Sequence, residues 1–377
     1  MKYCKKCVNV DTRPDGQFDE NGVCPACRFT EEKNNKEKVN WEERSKELWK
    51  IVEWGRSNTH SSYDCIVTVS GGKDSMRQAF YARDELGLKP LLVNSAYPPE
   101  QLHERGAYNL SNLVSHSFDL ISMGLDPQVW KKMMRTSFFT CGNQAKSTEM
   151  ALYAIPIHIA IAYKIPLVFL GENPLYVLGQ QEGKAEGGIA TGMHYSNTLQ
   201  GGSPDNITPD GISKQDTYFY RYPADQEIAD SRLRIVYLGY YIEDWSLMKN
   251  AELGIKKGMK IRSEPSNKTG DYFGFSALDE EFKIVNAMIK YIKYGYGAVT
   301  DQVIIAMNNG LLDRKQAYEA VQKYDGKCDQ YYIDLFCDYL EISKNEFWSV
   351  VESYRGKDVW KKDSNGKWVL RAESPLL

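Results

Sequence analysis

The chain has 377 residues, of which 42% are hydrophobic and 26% charged, and its formal net charge at pH 7 is −3. This length allows two or three domains with a sizeable buried core. No apolar run approaches the roughly 20 residues of a membrane-spanning helix, and the first residues lack the apolar stretch of a signal peptide, so we expect a cytoplasmic protein without membrane contacts. The acidic balance argues against a dedicated nucleic-acid binder. We interpret the basic clusters Lys256-Lys257 and Lys260 to Arg262 as solvated surface.

Four of the eight cysteines stand in two C-x-x-C pairs within residues 1–30. Cys4 with Cys7, and Cys24 with Cys27, can each present two thiolates to one ion, and two such pairs complete a tetrahedral Zn²⁺ site. A segment this short has little core, so a structural zinc would contribute most of its folding free energy, on the order of 10–16 kcal/mol. A redox dithiol and an iron–sulfur cluster are the alternatives.

Residues 31–60 predict a connecting amphipathic helix, and residues 61–260 alternate between strand and helix patterns. The predicted strands are 64–69, 90–94, 117–121, 166–170 and 234–239, and the predicted helices are 75–86, 99–114, 126–138, 145–163 and 243–253. This order indicates βαβ units, right-handed crossovers and therefore a parallel sheet. We expect Pro156 to kink or divide the helix over 145–163.

A polar hexapeptide directly follows the first strand of this region: Ser70, Gly71, Gly72, Lys73, Asp74 and Ser75. Its glycines allow a tight turn in which the backbone approaches an anion, and the amides that open the next helix can bind that anion. Ser70 and Ser75 add hydroxyl groups. Lys73 adds a positive charge, and Asp74 can bind Mg²⁺ on a polyphosphate. In the alternative interpretation the turn is structural, Asp74 caps the helix and Lys73 points to solvent.

The spacing of this hexapeptide differs from that of a Walker A loop. It resembles the S-G-G-x-D-S loop of the ATP-pyrophosphatases, which cleave ATP between the α and β phosphates. The resemblance implies that residues 70–75 hold the pyrophosphate of ATP and that Mg²⁺ is a cofactor.

A second polar turn follows the strand predicted over 166–170. Gly171, Glu172 and Asn173 stand at its carboxyl end, where ligands bind in parallel sheets. Glu172 can bind metal or orient a substrate, and Asn173 can hydrogen-bond a sugar or an adenylate. The alternative is a plain turn that ends at Pro174.

The stretch 179–216 carries eight glycines and few apolar residues. Long loops in compact domains are usually functional or disordered, and we predict a substrate lid here, with a mobile insertion as the alternative. His194 in this stretch is a candidate substrate contact. His158, by contrast, stands among isoleucines and is predicted to be a core residue.

Two further residues have open assignments. Cys141 stands between two helical runs and can carry a persulfide for sulfur transfer, but it has no partner cysteine nearby in sequence, which favours a structural or pocket-lining thiol. Lys268, in a turn-rich run over 264–270, can close on phosphates or be surface charge.

Residues 261–377 predict a helical C-terminal domain, with Phe282, Val285, Ile289 and Ile292 on one amphipathic face. The predicted fold is therefore an α/β parallel-sheet core with a pyrophosphate loop, an N-terminal zinc ribbon and a helical C-terminal region. The predicted divisions are 1–30, 31–60, 61–260 and 261–377.

Several segments taken together resemble the N-acetyl sugar amidotransferases, which include the pseudaminic acid and O-antigen amidotransferases of bacterial surface glycans. The segments are M-K-Y-C-x-x-C-V with D-T-R-P and the second cysteine pair, the hexapeptide, Y-L-G-Y-Y at 237–241, and Y-I-K-Y-G-Y-G at 291–297 followed by Thr300-Asp301. The similarity spans nearly the whole chain. One departure is Ala298, where we expect many members to carry arginine.

This resemblance implies that ATP adenylates the oxygen of an acetamido group on a sugar and that ammonia then displaces AMP, leaving an acetamidino group. It also implies a separate glutaminase and cyclase pair, similar to that of histidine biosynthesis, as the source of ammonia. The sequence is consistent with a separate source of ammonia, because Cys4 already belongs to a C-x-x-C pair and is not available as an N-terminal glutaminase nucleophile.

Two other functions remain open. Some tRNA thiolation enzymes join zinc-binding cysteine pairs to the same loop, although the acidic balance and the isolated Cys141 weigh against thiolation. The chain can also be a zinc-ribbon binding module with a degenerate nucleotide fold, against which the intact hexapeptide argues.

Overall fold

A computed structural model of the chain describes residues 1–14, 16–35, 39–171, 187–192, 203–372 and 374. Within these residues, five parallel strands form one sheet. They are β1 (Cys65–Thr68), β2 (Pro90–Ala96), β3 (Asp119–Gly124), β4 (Leu167–Leu170) and β5 (Arg234–Tyr237). The five strands that the sequence predicts are thus present, and the parallel sheet is confirmed.

Fourteen α-helices surround this sheet or follow it in the described part of the chain. They are α1 (Pro25–Asn34), α2 (Trp41–Asn58), α3 (Lys73–Phe80, continued by a π-helical turn over Tyr81–Glu85), α4 (Glu104–Ser115), α5 (Pro127–Cys141), α6 (Ala145–Tyr163), α7 (Asp225–Asp230), α8 (Leu247–Lys256), α9 (Ser266–Thr269), α10 (Phe282–Tyr294), α11 (Ala298–Asn308), α12 (Arg314–Tyr324), α13 (Gln330–Leu340) and α14 (Lys344–Ser353). A hairpin of β6 (Trp360–Lys362) and β7 (Trp368–Leu370) closes the chain. Among the helices described, none has both the length and the apolar character that crossing a bilayer requires.

The strand order is β3-β2-β1-β4-β5. Ile66 of β1 pairs with Leu91 of β2 on one side and with Val168 of β4 on the other. The direction of winding therefore reverses between β1 and β4. In open parallel sheets, ligands bind in the crevice outside the carboxyl ends of the two strands at such a switch point.

Helices cover both faces of the sheet. Ile66, Val168 and Ile235 belong to a buried cluster on one face that includes residues of α5, α6, α10 and α13, whereas Val67 and Phe169 belong to a second cluster with α2, α3, α4 and α8. Because both faces are covered, β4 is buried along its whole length and its sequence is continuously apolar.

Helix α6 runs unbroken through Pro156, so the expectation that this proline divides the helix is wrong. Proline removes one backbone hydrogen bond. Ten residues of α6 are buried, among them Ile155 and Ile157 beside the proline. This burial offsets the loss of the hydrogen bond and keeps one helix across the sheet.

The cysteine-bearing N-terminus packs on the helical C-terminal region. Cys4, Cys7 and Cys24 share a buried cluster with Val299 and Val303 of α11 and with residues of α12. A four-cysteine segment, a parallel-sheet core and a helical C-terminal region are therefore present as predicted. The boundaries assigned to these parts stay predictions.

Candidate functional site

The hexapeptide at 70–75, hereafter the 70–75 loop, joins the end of β1 to the start of α3. Gly71 has a φ of +80°, and a Cβ built there would lie 2.9 Å from the Cβ of Asn109. Glycine meets both requirements at no steric cost. The Ser75 hydroxyl donates a hydrogen bond to the Gly72 carbonyl (2.9 Å), which tightens the turn. The first amides of α3 have no acceptor within the helix, so the loop ends in an anion-binding terminus.

The Asp74 carboxylate is held from two sides. Its Oδ1 accepts a hydrogen bond from the Asn250 side chain of α8 (2.8 Å), and its Oδ2 pairs with the Lys73 ammonium. The residue that caps α3 is Gly72, without a side-chain hydrogen bond, so Asp74 is not the cap. The Lys73 side chain is 13% exposed and does not point to solvent.

Two buried amide oxygens lie on the residues around Asp74. The Oδ1 of Asn250 and the Oε1 of Gln78 have no hydrogen-bond partner among the described residues. A Cβ on Gly171 would lie 3.3 Å from Gln78 Nε2 and 4.0 Å from the Asp74 Cβ, so the end of β4 adjoins the loop as predicted. Carboxylate and amide oxygens suit a hard divalent cation. Asp74, with these oxygens around it, fits the Mg²⁺ of a bound nucleotide.

Two cavities meet at the 70–75 loop. Both are lined by Lys73, Leu247 of α8 and Ile305 of α11. The larger has a volume of about 350 Å³ and extends toward α10 and α11. The smaller has a volume of about 110 Å³ and extends toward α1. The loop therefore faces a divided cleft whose far walls come from the C-terminal region and from the helix that follows the cysteines.

Six charged residues line the larger cavity: Lys73, Arg262, Asp271, Lys283, Lys290 and Asp301. Arg262 pairs with Glu281 and is almost completely buried. The sequence-based interpretation of the cluster at 260–262 as solvated surface is therefore wrong for Arg262. A short run of basic residues has no periodicity that would distinguish a buried arginine from lysines that point to solvent. Glu281, the partner that stabilises Arg262, is also distant in sequence.

Asp301 connects the larger cavity to the cysteine segment. One carboxylate oxygen accepts a hydrogen bond from Lys290, and the other accepts one from Arg13. The Arg13 guanidinium is buried, stacks 4.1 Å from the centre of the Tyr296 ring and donates to the Asn9 side chain (2.9 Å). Burial acts to raise the pKa of Asp301, but the charges of Arg13 and Lys290 outweigh it and lower that pKa.

The four predicted metal ligands converge. The sulfur atoms of Cys4, Cys7, Cys24 and Cys27 all lie within 4.8 Å of one another, and all four residues are buried. Four thiolates around one Zn²⁺ at about 2.3 Å stand about 3.8 Å apart, and Cys7 and Cys24 are separated by 3.6 Å between their sulfurs.

Backbone amides also favour thiolates at this site, since Lys6 and Cys24 donate to the Cys4 sulfur (3.4 and 3.2 Å) and Asn9 donates to the Cys7 sulfur (3.3 Å). The cysteines fit a single tetrahedral ion. A four-iron cluster would place an iron beside each thiolate and spread the sulfurs wider. Four thiolates leave no open position, so the ion would be structural.

The remaining predicted site residues lie elsewhere. Cys141 ends α5, where its carbonyl accepts a hydrogen bond from Lys293 (2.8 Å), and it lines neither cavity. The ammonium of Lys268 in α9 lies 3.8 Å from the Asp329 carboxylate, and its side chain is 57% exposed, as expected of surface charge. His158 is a core residue whose Nε2 lies 2.8 Å from the Arg221 carbonyl oxygen, and burial lowers its pKa.

Glu172, Asn173 and His194 lie outside the described residues, as do residues 179–186 and 193–202 of the predicted lid at 179–216. Their roles stay predictions.

Sequence reasoning assigned no role to three residues in or beside the cleft: Lys33 lines the smaller cavity, Asn250 bonds Asp74, and Arg13 bonds Asp301. Asn250 lies on the inner face of α8. A polar residue at a position where the helical pattern predicts burial is a signal that sequence analysis can use. Arg13 belongs to the D-T-R-P segment, whose resemblance to the amidotransferases implies no role for it.

Comparison with known proteins gives a family match for the C-terminal part of the chain. Residues 269–373 match the family model described as "LPS biosynthesis protein WbpG-like, C-terminal domain". This part of the chain is similar to that domain. The match confirms, for the C-terminal region, the resemblance to proteins of bacterial surface-glycan synthesis. The WbpG-like region contributes α10 and α11, and with them Lys290 and Asp301 of the larger cavity. Ala298, the departure from the resemblance, lines the same cavity.

Comparisons with solved structures give matches of low similarity, and the comparison with curated proteins gives none. The NMN synthetase of Francisella tularensis is 15% identical, with a TM-score of 0.28, and the match covers 60% of this chain and 99% of that one. The U34-tRNA thiolase NcsA from Methanococcus maripaludis, solved with its 4Fe–4S cluster, is 11% identical, with a TM-score of 0.28, and the match covers 82% of this chain and 86% of that one. No curated protein matches the chain.

Proposed function

We propose that the chain is an ATP-dependent, AMP-forming amidotransferase. It adenylates an acetamido group of a bacterial surface-glycan sugar of the pseudaminic acid type and replaces the oxygen with nitrogen from ammonia. The observation that carries this proposal is the position of Lys73, which belongs to the 70–75 loop and lines both cavities. A nucleotide held by the loop would have its phosphates beside a cavity of about 350 Å³, which is ample for a sugar.

The chemistry needs two displacements. In the first, the acetamido oxygen attacks the α-phosphorus, the bond to the bridging oxygen breaks, and pyrophosphate leaves with the bonding electrons. In the second, ammonia adds to the carbon of the adenylated group, AMP leaves with the electrons of the carbon–oxygen bond, and a proton is released. The first amides of α3 and the Lys73 ammonium would bind the phosphates. Asp74 would hold Mg²⁺, which neutralises charge on the pyrophosphate.

The larger cavity supports an acidic acceptor. Of the six charged residues that line it, four are cations and two are carboxylates, and Arg262 and Lys290 are each already paired with a carboxylate. Lys283 lies 3.7 Å from Glu149 but is half-exposed. These cations complement an anionic sugar without leaving uncompensated charge in its absence. Because Ala298 opens space where the resemblance leads us to expect arginine, the acceptor would differ from that of many relatives.

The ammonia would come from a separate glutaminase and cyclase pair similar to that of histidine biosynthesis. Support for this pair comes from the resemblance and from Cys4, which belongs to the four-cysteine cluster. The reaction would take place in the cytoplasm, and the four-cysteine ion would be structural.

The proposal is tested by incubating the purified chain with ATP, Mg²⁺, ammonium and a panel of acetamido sugars that includes pseudaminic acid, followed by mass spectrometry. The expected result is a product in which one oxygen is replaced by NH, formed together with AMP and pyrophosphate. Omitting the sugar or the ammonium should abolish that product. If AMP forms only with tRNA and a sulfur donor, the chain is a tRNA thiolation enzyme and the proposal is wrong.

A further inference from the structure

A single helix connects the four-cysteine cluster to the smaller cavity. Helix α1 begins at Pro25, directly after Cys24, and contains Cys27 in its first turn. Its last turns bring Thr30, Lys33 and Asn34 to the wall of the smaller cavity. These three positions have the i, i+3, i+4 spacing of one helical face. One predicted metal ligand, Cys27, and a lysine at the cleft thus lie on one helix of ten residues, with a second predicted ligand, Cys24, at its N-cap; the helix is about 15 Å long.

Lys33 is a cation that forms no ion pair with the described residues. Its ammonium donates to the carbonyl oxygen of Trp245 (3.3 Å), and within the described ranges no carboxylate stands at ion-pair distance from it. Burial, followed by the charge of Arg44, lowers the pKa of Lys33, against the weaker effects of Asp244 and Glu243. A partly buried cation in this situation is stabilised when an anion binds beside it.

The rest of the smaller cavity also suits an anion. The cavity is lined by Lys73, which opens α3, and by Leu247, which opens α8. Helix N-termini carry partial positive charge and helix C-termini partial negative charge, and the last turns of α1 and α11 also line the cavity, so its side chains decide its charge. Two of the described lining residues are lysines and one, Asp74, is a carboxylate, with which Lys73 is already paired. Lys33 is therefore the cation of this wall that a ligand would neutralise.

We infer that Lys33 binds the β- and γ-phosphates of ATP and the pyrophosphate that they become. The smaller cavity then holds the leaving group, while the larger cavity holds the acceptor, and Lys73 stands between them. When the bond between the α-phosphorus and the bridging oxygen breaks, negative charge increases on the pyrophosphate. Lys33 stabilises this charge at the end of the pyrophosphate that lies away from the α-phosphorus. This inference rests on the proposed function in one respect, the cleavage of ATP at the 70–75 loop.

The role of the cysteine segment follows from this assignment. An ion at the start of α1 fixes the helix that carries Lys33, so the metal would support nucleotide binding without touching the nucleotide.

The test is binding of inorganic pyrophosphate with Mg²⁺, measured by titration calorimetry without acceptor or ammonia. Lys33→Gln should weaken this binding by about 10- to 100-fold, the range for a hydrogen bond to a charged group. Lys33→Arg should retain most of the affinity because it keeps the charge. Lys46→Gln is the matched control, since Lys46 is an exposed lysine of α2 that pairs with Glu42 and Glu43. AMP affinity should be the same in all four proteins, and thermal melting checks that each is folded.

The outcomes are separable. If the unmodified chain binds pyrophosphate and a folded Lys33→Gln variant binds it equally well, the inference is overturned and the proposed function stands. If Lys33→Gln weakens AMP and pyrophosphate equally, Lys33 acts on the fold of the cleft and the specific assignment is also overturned. If the unmodified chain binds neither ATP nor pyrophosphate, the proposed function fails together with the inference.

Discussion

The 70–75 loop and the four-cysteine segment are both short motifs at the same cleft, but different forces hold them in place. The loop is fixed by the elements on either side of it, because β1 is a central strand of the sheet and α3 packs on α8. The cysteine segment contains an isolated two-residue bridge between Tyr3 and Val10 and one helix. It depends on its thiolates and on its contacts with α11 and α12.

This difference indicates where each motif is vulnerable. A change in the loop alters local geometry and charge inside a framework that remains folded. A change in the cysteine segment removes a support, and the consequences should reach the cleft through α1 and through the contact of Arg13 with Asp301. The following experiments test that contrast, from the largest expected effect to the smallest.

Replacing a predicted metal ligand should have the largest effect. Cys4→Ser removes one of four thiolates, and because structural zinc contributes on the order of 10–16 kcal/mol to small modules, we expect loss of the ion and unfolding of residues 1–30. Metal analysis should show less than one zinc per chain, and hydrogen exchange should show lost protection in α1. Cys141→Ser is the control, since Cys141 ends α5 away from the cluster, and it should retain the zinc. Retention of zinc and protection in Cys4→Ser would contradict the structural role.

Replacing Arg13, the buried arginine of the cysteine segment, should have the next largest effect. Arg13→Gln leaves Asp301 with Lys290 as its remaining charged partner, and breaking a buried pair in this way costs about 3–5 kcal/mol of the free energy of unfolding. Arg28→Gln is the matched control, because Arg28 lies in the same segment but is partly exposed and bonds to the Val23 carbonyl. Urea unfolding measures both. Similar losses in the two variants would show that Arg13 has no special role.

The same variant has a pH signature. The folded pKa of Asp301 is lowered, so its contribution to stability is present above the unfolded value, about 3.9, and is lost as the pH falls through the folded pKa. Arg13→Gln removes the main charge that lowers this pKa. The part of the acid-induced loss of stability that comes from Asp301 should therefore be smaller in the variant than in the unmodified chain, and an unchanged acid limb would contradict this assignment.

In the 70–75 loop, Asp74→Asn should slow the reaction more than it destabilises the fold. The isosteric amide keeps the side-chain volume near Asn250 but cannot hold Mg²⁺ as a carboxylate does. We expect AMP formation to slow by about 100- to 1000-fold, as for the loss of one electrostatic contact in a transition state, and Mn²⁺ binding in the presence of ATP to weaken. Asp244→Asn, on an exposed carboxylate that pairs with Arg77, is the control. Equal rates in the two variants would exclude Asp74 from the reaction.

The smallest expected effect concerns the turn itself. Gly71→Ala puts a Cβ at a φ of +80° and 2.9 Å from the Asn109 Cβ, which should cost about 1–3 kcal/mol. Gly72→Ala is the adjacent control, since Gly72 has a φ of −81° and its nearest contact would be the Ser70 hydroxyl oxygen at 3.4 Å. Denaturant unfolding should give a clearly lower free energy of unfolding for Gly71→Ala than for Gly72→Ala, and the reverse order would contradict the structure of the loop.

Much of the fold follows from local pattern. The apolar runs of β1 and β4, the helices at 145–163 and 314–324, and the strand–turn–helix at 70–75 are each specified by residues that are neighbours in sequence. Pro156 shows the limit of such reasoning, because the sequence gives the cost of a proline in a helix and the packing of α6 decides that the helix continues.

The candidate site divides in the same way. The 70–75 loop and the four cysteines were predictable, because each motif places its polar or thiol groups within a few residues and metal or anion binding requires that spacing. The contacts of Asn250 with Asp74, of Arg13 with Asp301 and of Arg262 with Glu281 were not. These side chains are drawn from different elements, and whether a charged residue is buried beside a partner or lies in water depends on which elements pack together.

By itself, then, the sequence determined the parallel sheet, the loop at its switch point and the four-thiolate cluster, because backbone periodicity and ligand spacing are local properties. Tertiary structure alone decided that Lys73 stands between two cavities, that α1 brings Lys33 to one of them and that α11 brings Asp301 to the other. Those positions arise from contacts between residues far apart in the chain, and electrostatic interactions depend on distance in space and on burial.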